Sequence, residues 1–474
     1  MSDGVGQQRL SRTPADPRPP VRMVHLGLGA FFQAHQAWYT HTAADAEEWG
    51  YAAFGGRSSG RSTVLAEQGG RYTLVVRGPG GDVHQVIGSV VSAHAAADVD
   101  AWDRCFTDPA VAVVTSTVTE AGYLMGASGG ADLDSPALRS DVDLLRRTVG
   151  REGGGSPGEA RPVTAPARLV AGLVARRRVD AGPITLVPCD NLSTNGETLR
   201  RVLVDVAEAV DPALVDWIGS SVSVVSTVVD RITPRTTDLD RESFRDETGT
   251  DDRSLVITEP FHEWILSGAF GAGRPAWESG GARFVHDVEP FERRKLWLLN
   301  GAHSLLAYAG SILGHDTVAA AMSDDVVVGW VEEWWDEASR HLDLPAPDLA
   351  GYRAALHQRF TNPRIAHHLA QIAADGSQKI PVRILPTMRA ERTAGRSGTG
   401  AARVIAAWLC HLRGRGAPVS DPRAAALTEL AGGQLEAAAR RVLAELDPVL
   451  AGDEVSVTTV VDCAEELSSD RHRG

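Results

Sequence analysis

The chain has 474 residues, of which 43% are hydrophobic and 23% charged, the composition of a folded globular protein with two or three domains. Its formal net charge of −14, from 47 basic and 61 acidic residues, excludes a nucleic-acid binder, because no cationic excess exists to neutralise phosphates. No apolar run reaches the roughly 18 residues that span a bilayer, and the N-terminus lacks the apolar core of a signal peptide.

Residues 1–20 read as a disordered tail. A buried strand over 22–29 follows, then a helix over 32–47 and a second strand over 51–55. Further strands are expected over 72–76, 83–91, 111–116 and 184–188. Helices over 138–149, 167–178 and 196–210 have apolar spacing near 3.6. Strands alternating with helices predict an α/β fold around a mostly parallel sheet. The Gly/Pro/Ser-rich stretches 126–132 and 151–166 read as surface loops, and 222–229 is a run of β-branched residues. After about residue 286 nearly every segment has helical spacing: 292–312, 323–341, 348–360, 364–374, 400–413 and 423–444. The expected organisation is an α/β domain over 21–286 and an all-helical domain over 287–474.

The four cysteines, Cys105, Cys189, Cys410 and Cys463, form no C-x-x-C and have no His at metal-ligand spacing. A reduced, cytoplasmic protein without a metal site is the simplest reading.

Several stretches carry chemistry. L-G-L-G-A-F-F-Q-A-H-Q (26–36) follows a strand and opens a helix. Gly27 permits a tight turn, and Gly29 removes a Cβ from the path of a pyrophosphate. The third position of G-x-G-x-x-G is Phe32, where a glycine would let helix and strand pack closely. The motif alone leaves a cofactor loop and an ordinary strand-to-helix turn both open. The second strand ends in F-G-G-R-S-S-G-R, with Arg57, Ser58, Ser59 and Arg61 and no carboxylate. NADP is therefore as open as NAD, because an arginine can hold a 2′-phosphate; solvated loop residues are the plainer alternative.

In V-P-C-D-N-L-S-T-N-G (187–196), Asp190 and Asn191 come directly after a buried strand, where ligands bind in open α/β sheets. Asn195 reads as a helix cap. V-V-D-R-I-T-P (228–234) puts Asp230 and Arg231 at another strand end, as substrate contacts or as a structural ion pair.

F-E-R-R-K-L-W-L-L-N-G-A-H (291–303) is the most informative stretch. At about 100° per residue, Lys295, Asn300 and His303 fit within an arc of about 140° on an otherwise apolar helix, and Glu292 precedes Lys295 by one turn. Burial of a lysine lowers its pKa and makes it a usable general base. An asparagine donates to an alkoxide without adding an exchangeable charge. A surface lysine beside a satisfied asparagine is the competing reading. In N-P-R-I-A-H-H-L-A-Q-I-A-A-D-G-S-Q-K-I-P-V-R (362–383), a helix broken by D-G-S precedes the basic pair Lys379 and Arg383. That pair is either solvated or grips a polar or anionic substrate.

Together these segments resemble the long-chain polyol and hexuronate dehydrogenases, the mannitol dehydrogenase family. The carriers are G-L-G-A-F-x-x-A-H-Q (27–36), T-E-A-G-Y (119–123), C-D-N-L-S-T-N-G (189–196), V-D-R-I-T-P (229–234), E-P-F-H-E-W (259–264), K-L-W-L-L-N-G-A-H (295–303) and D-G-S-Q-K-I-P (375–381). The resemblance implies a Rossmann-type N-terminal domain, an α-helical C-terminal domain and metal-independent hydride transfer with NAD or NADP. It implies Lys295 as general base, Asn191 and Asn300 as alkoxide donors, and His303 as a positioning group. Asp230 and Lys379 are implied as hydroxyl contacts. From the residues themselves, Glu292 is read as a proton relay, and Gly27, Gly29, Ala30, Phe31 and Arg57 as cofactor contacts. Preorganised donors of this kind contribute about 2.7–4 kcal/mol each.

The family often has His-Arg where this chain has Phe32-Gln33. Gln371-Ile372-Ala373 stands where mannitol 2-dehydrogenases tend to have Arg-Leu-Cys, and Q-I-A-x-D-G-S-Q-K-x-P-x-R is more similar to fructuronate reductases. Arg383 is then a candidate for a hexonate carboxylate. The expected activity is fructuronate to mannonate, with fructose to mannitol second. A non-catalytic sugar or nucleotide sensor on the same fold is the rival from another class. The expected partner is a small polyol or sugar acid, with no nucleic acid or membrane, and the expected state is a monomer or small homo-oligomer.

Overall fold

The computed structural model describes residues 8–56, 60–149, 161–365 and 367–469. Arg57 and most of the predicted loop 151–166 lie outside the described residues. The chain divides into two compact units, Met1–Val288 and Glu289–Gly474.

The first unit is built on six parallel strands. They are β1 (Val21–Leu26), β2 (Gly50–Phe54), β3 (Val90–His94), β4 (Val113–Ser116), β5 (Ile184–Pro188) and β6 (Val222–Val224). Their spatial order is 3-2-1-4-5-6. This is the doubly wound dinucleotide-binding order, whose ligand crevice opens at the carboxyl ends of β1 and β4, where the order reverses. β4 and β5 are buried along their whole length and β1 over its last four residues, because both faces of the sheet are covered. Alternate residues feed two cores. Val24, Leu26, Val114 and Leu186 face the helices Val99–Thr107, Ala165–Arg178 and Asn195–Val210. Met23, Tyr51, Val113 and Val187 face Phe32, Tyr39 and Trp264.

Several sequence expectations are corrected here. The helix expected over 32–47 is broken into Ala30–Ala34, Gln36–Thr42 and a short turn at Ala46–Glu48. The break at His35 has φ −119° and ψ −87°, outside the helical range. The run 83–91 is divided by Gly88-Ser89. Its first part, Gly81–Ile87, pairs antiparallel with Tyr72–Gly78 in a separate sheet, and only Val90–His94 enters the main sheet. Residues 8–20 do not behave as a disordered tail. Gln8–Arg9 pairs with Thr250–Asp251, and the Arg12 guanidinium donates to the carbonyls of Gly69, Gly88 and Val90.

The second unit is helical among its described residues. Its central helix runs from Glu289 through Gly310, with Ala- and Leu-rich turns buried on most sides. Against it pack Asp325–Ser339 and Thr399–Leu412, the latter almost wholly buried. The helix expected over 364–374 shrinks to Leu369–Ile372. That expected over 423–444 splits at Gly432-Gly433 into Ala424–Leu430 and Leu435–Leu446, because Gly433 takes a positive φ that ends a helix.

Candidate active site

In the first unit the turn after β1 has the form a phosphate requires. Gly27 sits at φ +106°, and a Cβ there would lie 2.4 Å from the Thr117 carbonyl oxygen, so only glycine fits. The Thr117 hydroxyl donates to the Gly27 carbonyl at 2.8 Å, tying the ends of β1 and β4 together. Gly29 is extended at the start of the helix Ala30–Ala34, and a Cβ built on it meets only the Gly27 oxygen, at 3.5 Å. That open backbone, followed by the first helical amides of Ala30 and Phe31, fits a dinucleotide pyrophosphate.

Phe32 resolves the irregular third position. Its ring is fully buried, stacked on His25 with centroids 3.6 Å apart, and meets Tyr51 edge-on at 5.0 Å. An aromatic stack does here what close glycine packing does elsewhere. His25 bonds Thr115 and Thr117, and burial drives its pKa down to about 3, so the imidazole is neutral. Gln33 is also buried, accepting from Arg61 at 2.8 Å and donating to Ser254 at 3.2 Å. Phe32 and Gln33 are thus fastened inside the unit.

The C-D-N segment follows β5. Asn191 is exposed, while Asp190 beside it is buried. The Asp190 carboxyl accepts from the Val118 amide at 2.5 Å and from the Tyr123 hydroxyl, both in the segment after β4. Burial raises its pKa to about 7, with the Tyr123 and Val118 bonds opposing. Asn195 does not cap its helix, as the sequence led us to expect. Thr194, in the left-handed region at φ 49°, is the cap, and the Asn195 side chain instead exchanges two hydrogen bonds of 2.9 Å with the Thr227 backbone. Gly196 allows this approach, since a Cβ there would lie 2.4 Å from Ser226 Oγ.

Asp230 ends the strand Ser226–Asp230, directly opposite Glu263 on the antiparallel strand Glu263–Ser267. Arg231 does not form an ion pair with its neighbour as its main contact. Its guanidinium donates to the carbonyls of Ala34 and Glu259 and lies over the Trp38 ring, which pins the end of the first helix to the E-P-F-H-E-W segment. Burial lowers its pKa to about 10, so it stays charged.

In the second unit, Lys295–Gly301 is a π-helix segment. The i→i+5 pattern brings residues five apart nearly above one another. Lys295 and Asn300, about 140° apart on an ideal α-helix, therefore come onto one side. The wide turn is supported from outside. The indole N–H groups of Trp334 and Trp335 donate to the carbonyls of Trp297 and Leu298, at 3.0 and 2.8 Å. Gly301 makes room, because a Cβ there would lie 2.6 Å from the Trp334 ring. His303 is buried against Phe360, with ring centroids 4.8 Å apart, and Lys295, Asn300 and Glu292 are half-buried.

The basic pair is not beyond a helix end. Asp375 takes the left-handed region at φ 59° and starts a new helix, Gly376–Arg383, which carries Lys379 and Arg383 one turn apart on one face. Gly376 lets this helix sit tightly, with only 2.2 Å from a built Cβ to Trp408 Nε1. Arg383 Nη1 donates to the Asn300 carbonyl and to Ser304 Oγ, each at 3.2 Å. Lys379 Nζ donates to the carbonyls of Ile372 and Ala374. Burial lowers both, Arg383 to about 10. The structure thus gathers Lys295, Asn300, His303 and Arg383 around one wide helical turn. It sets Gly27, Gly29, Ala30 and Phe31 at the end of β1, and Asn191 after β5.

A cleft of about 270 Å³ in the first unit, lined by Arg12, Asp16, His41 and Arg71 among others, belongs elsewhere. It opens by residues that precede β1 and β3, at the end of the sheet away from the crevice, and its Arg71 is paired with Asp16 at 2.5 Å. Sequence reasoning missed the support roles of Thr117, Tyr123 and Asp190. T-E-A-G-Y had marked the stretch without indicating what it bonds.

Comparison with known proteins agrees with this architecture. Residues 21–279 match the family description Mannitol dehydrogenase Rossmann domain, and residues 287–457 match Mannitol dehydrogenase C-terminal domain. The chain is 34% identical to the D-mannonate oxidoreductase of Escherichia coli (strain K12), over 83% of this chain and 80% of that protein. It is 36% identical to the D-arabinitol 4-dehydrogenase of Ralstonia nicotianae, over 78% of each. The solved Pseudomonas fluorescens mannitol 2-dehydrogenase, in ternary complex with NAD and D-mannitol, superposes with a TM-score of 0.77 at 31% identity, covering 98% of this chain and 95% of that one.

Proposed function

The chain belongs to the mannitol dehydrogenase family of NAD(P)-dependent dehydrogenases, and from that premise we propose that it interconverts D-fructuronate and D-mannonate without a metal. Gly27, Gly29, Ala30 and Phe31 would hold the dinucleotide, whose nicotinamide would supply or accept the hydride when bound. In the oxidative direction Lys295 Nζ takes the proton of the reacting hydroxyl, and in the reductive direction it returns that proton to the carbonyl oxygen. Asn300 and Asn191 donate N–H groups to that oxygen while it carries negative charge, which lowers the barrier by charge stabilisation that the ground state lacks. His303 orients a neighbouring hydroxyl, Asp230 and Lys379 contact others, and Glu292 passes the proton between Lys295 and solvent.

The observation that carries the sugar-acid reading is Arg383. One nitrogen of its fork is committed to the Asn300 carbonyl and Ser304. A substrate carboxylate pairs with the Nε–Nη2 edge, beside the turn that carries Asn300. The 34% identity to a D-mannonate oxidoreductase supports the same choice. D-fructose to D-mannitol is the second reading, supported by the likeness to the mannitol 2-dehydrogenase. The test is a panel of ketoses and keto-acids followed at 340 nm with NADH and NADPH, alongside Lys295→Ala. The variant should bind cofactor and lose most turnover. Wild-type turnover in Lys295→Ala would refute the assignment of the base.

A further inference from the structure

The loop that bears Asn191 is fastened on both sides of that residue. On one side, the Asp190 carboxyl is held by the Val118 amide and the Tyr123 hydroxyl, which belong to the segment leaving β4. On the other, Asn195 is locked to the Thr227 backbone by two bonds, and its amide also reaches the Asp190 carbonyl at 3.4 Å. Between these anchors Asn191 stands exposed. The loops after β4 and β5 flank the second half of a doubly wound sheet, the half that takes the reacting end of a dinucleotide. Thr117, one residue before Val118, is bonded to Gly27 of the phosphate turn. One short chain of hydrogen bonds therefore runs from the phosphate turn, through the segment after β4, to the Asn191 loop.

We infer that Asp190, with Tyr123, is a positioning residue for hydride transfer: its carboxyl cross-links the loops after β4 and β5 and so fixes the direction of the Asn191 amide. This rests on the reading of Asn191 as a donor to the reacting oxygen. A buried acid is an expensive cross-link, and two apolar residues would hold two loops together with less cost. What a carboxyl adds is direction, since two fixed acceptors set the orientation of the backbone entering Asn191. The Tyr123 hydroxyl and the Val118 amide bond the carboxyl, and the buried Cys189 thiol is near enough to feel its charge. Glu120 on the same turn and Glu197 on the following helix are exposed, and Asp230 ends the neighbouring strand. Tyr123 can donate to a carboxylate or accept from a carboxylic acid, so the cross-link survives a change of protonation. The same logic makes asparagine a working substitute: its Oδ1 serves Val118 and its Nδ2 donates to Tyr123.

The test compares Asp190→Ala, Asp190→Asn, Tyr123→Phe, Asn191→Ala and the double variant Asp190→Ala/Asn191→Ala, with kcat, both KM values and thermal midpoints for each. Asp190→Ala should lower kcat about 10- to 100-fold while the cofactor KM changes less than about threefold. Asp190→Asn should restore kcat to within about fivefold of the wild type, and Tyr123→Phe should lower it about 3- to 10-fold. The double variant should be no slower than Asn191→Ala by more than about twofold, because both changes remove the same oriented donor. The inference is overturned if the double variant multiplies the two single losses, or if Asp190→Asn is as slow as Asp190→Ala. Tyr123→Phe and Asp190→Asn decide the matter should Asp190→Ala not fold. A wild-type kcat in Asn191→Ala would sink the donor role of Asn191 itself, a different failure from additive losses.

Discussion

Replacing Arg383 by glutamine separates a substrate contact from a structural one. In the protein Arg383 Nη1 donates to the Asn300 carbonyl and Ser304 Oγ, and its guanidinium is mostly withdrawn from water yet charged, with a pKa near 10. Glutamine keeps one N–H donor for the Asn300 carbonyl and removes the charge and the second edge. A hydrogen bond to a charged group contributes about 1.5–3 kcal/mol. Loss of that interaction with a carboxylate therefore corresponds to about 10- to 150-fold in kcat/KM at 1.4 kcal/mol per tenfold. A neutral ketose has no carboxylate to lose, so only the helix support matters, about 1 kcal/mol for one neutral hydrogen bond. The assay is kcat/KM for D-fructuronate and D-fructose with both enzymes, and the quantity read is the ratio between substrates. Arg383→Gln should shift that ratio at least about tenfold toward fructose. Equal losses on both substrates would refute the carboxylate contact and leave Arg383 as a support for the π-helical turn.

Other outcomes follow from the same geometry. Gly27→Ala places a Cβ 2.4 Å from the Thr117 carbonyl at a positive φ, so it should cost about 1–3 kcal/mol or more of stability together with cofactor affinity. Gly29→Ala meets only ordinary contact at 3.5 Å; calorimetry should show its stability within about 0.5 kcal/mol of wild type, while titration shows cofactor binding weakened about tenfold through the filled phosphate space. A wild-type cofactor affinity in Gly29→Ala would argue against the phosphate cradle. Asp190 contributes a pH dependence. Its folded pKa, about 7, lies above the unfolded value of 3.8, so the folded state binds the extra proton. Stability then falls as pH rises from about 4 to about 7 and levels off above, by roughly 4 kcal/mol in total at 1.36 kcal/mol per pKa unit. Denaturant midpoints of wild type and Asp190→Asn across pH 4–8 check the sign: the wild type should lose stability relative to the variant as pH rises, and a relative gain would contradict it.

Much of this protein is legible without coordinates. Buried apolar runs separated by helices predict the parallel sheet, and the switch to Ala-rich helical spacing near residue 286 marks where strands cease. The seven ordered motifs identify the family because each holds residues that chemistry restricts. Other features were out of reach. Phe32 looked like a defect in a glycine fingerprint until His25 and Tyr51, 7 positions before and 19 after it in sequence, were seen to enclose it in one stack. Asn195 had the composition of a helix cap, yet its partner is Thr227, 32 residues away.

Local patterning alone indicated most element types, a turn of the right form at Gly27 and Gly29, and Lys295, Asn300 and His303 as candidates, because period, glycine placement and polar residues on an apolar helix are properties of neighbouring residues. Tertiary structure decided the rest. The wide turn that brings Lys295 and Asn300 onto one side exists because Trp334, Trp335 and Arg383 satisfy the carbonyls it exposes. The direction of the Asn191 loop depends on an acid whose two partners lie about 70 positions earlier in the chain. Hydrogen bonds between residues distant in sequence leave no periodic trace, so only the folded chain reveals which polar groups hold the site and which remain to act on a substrate.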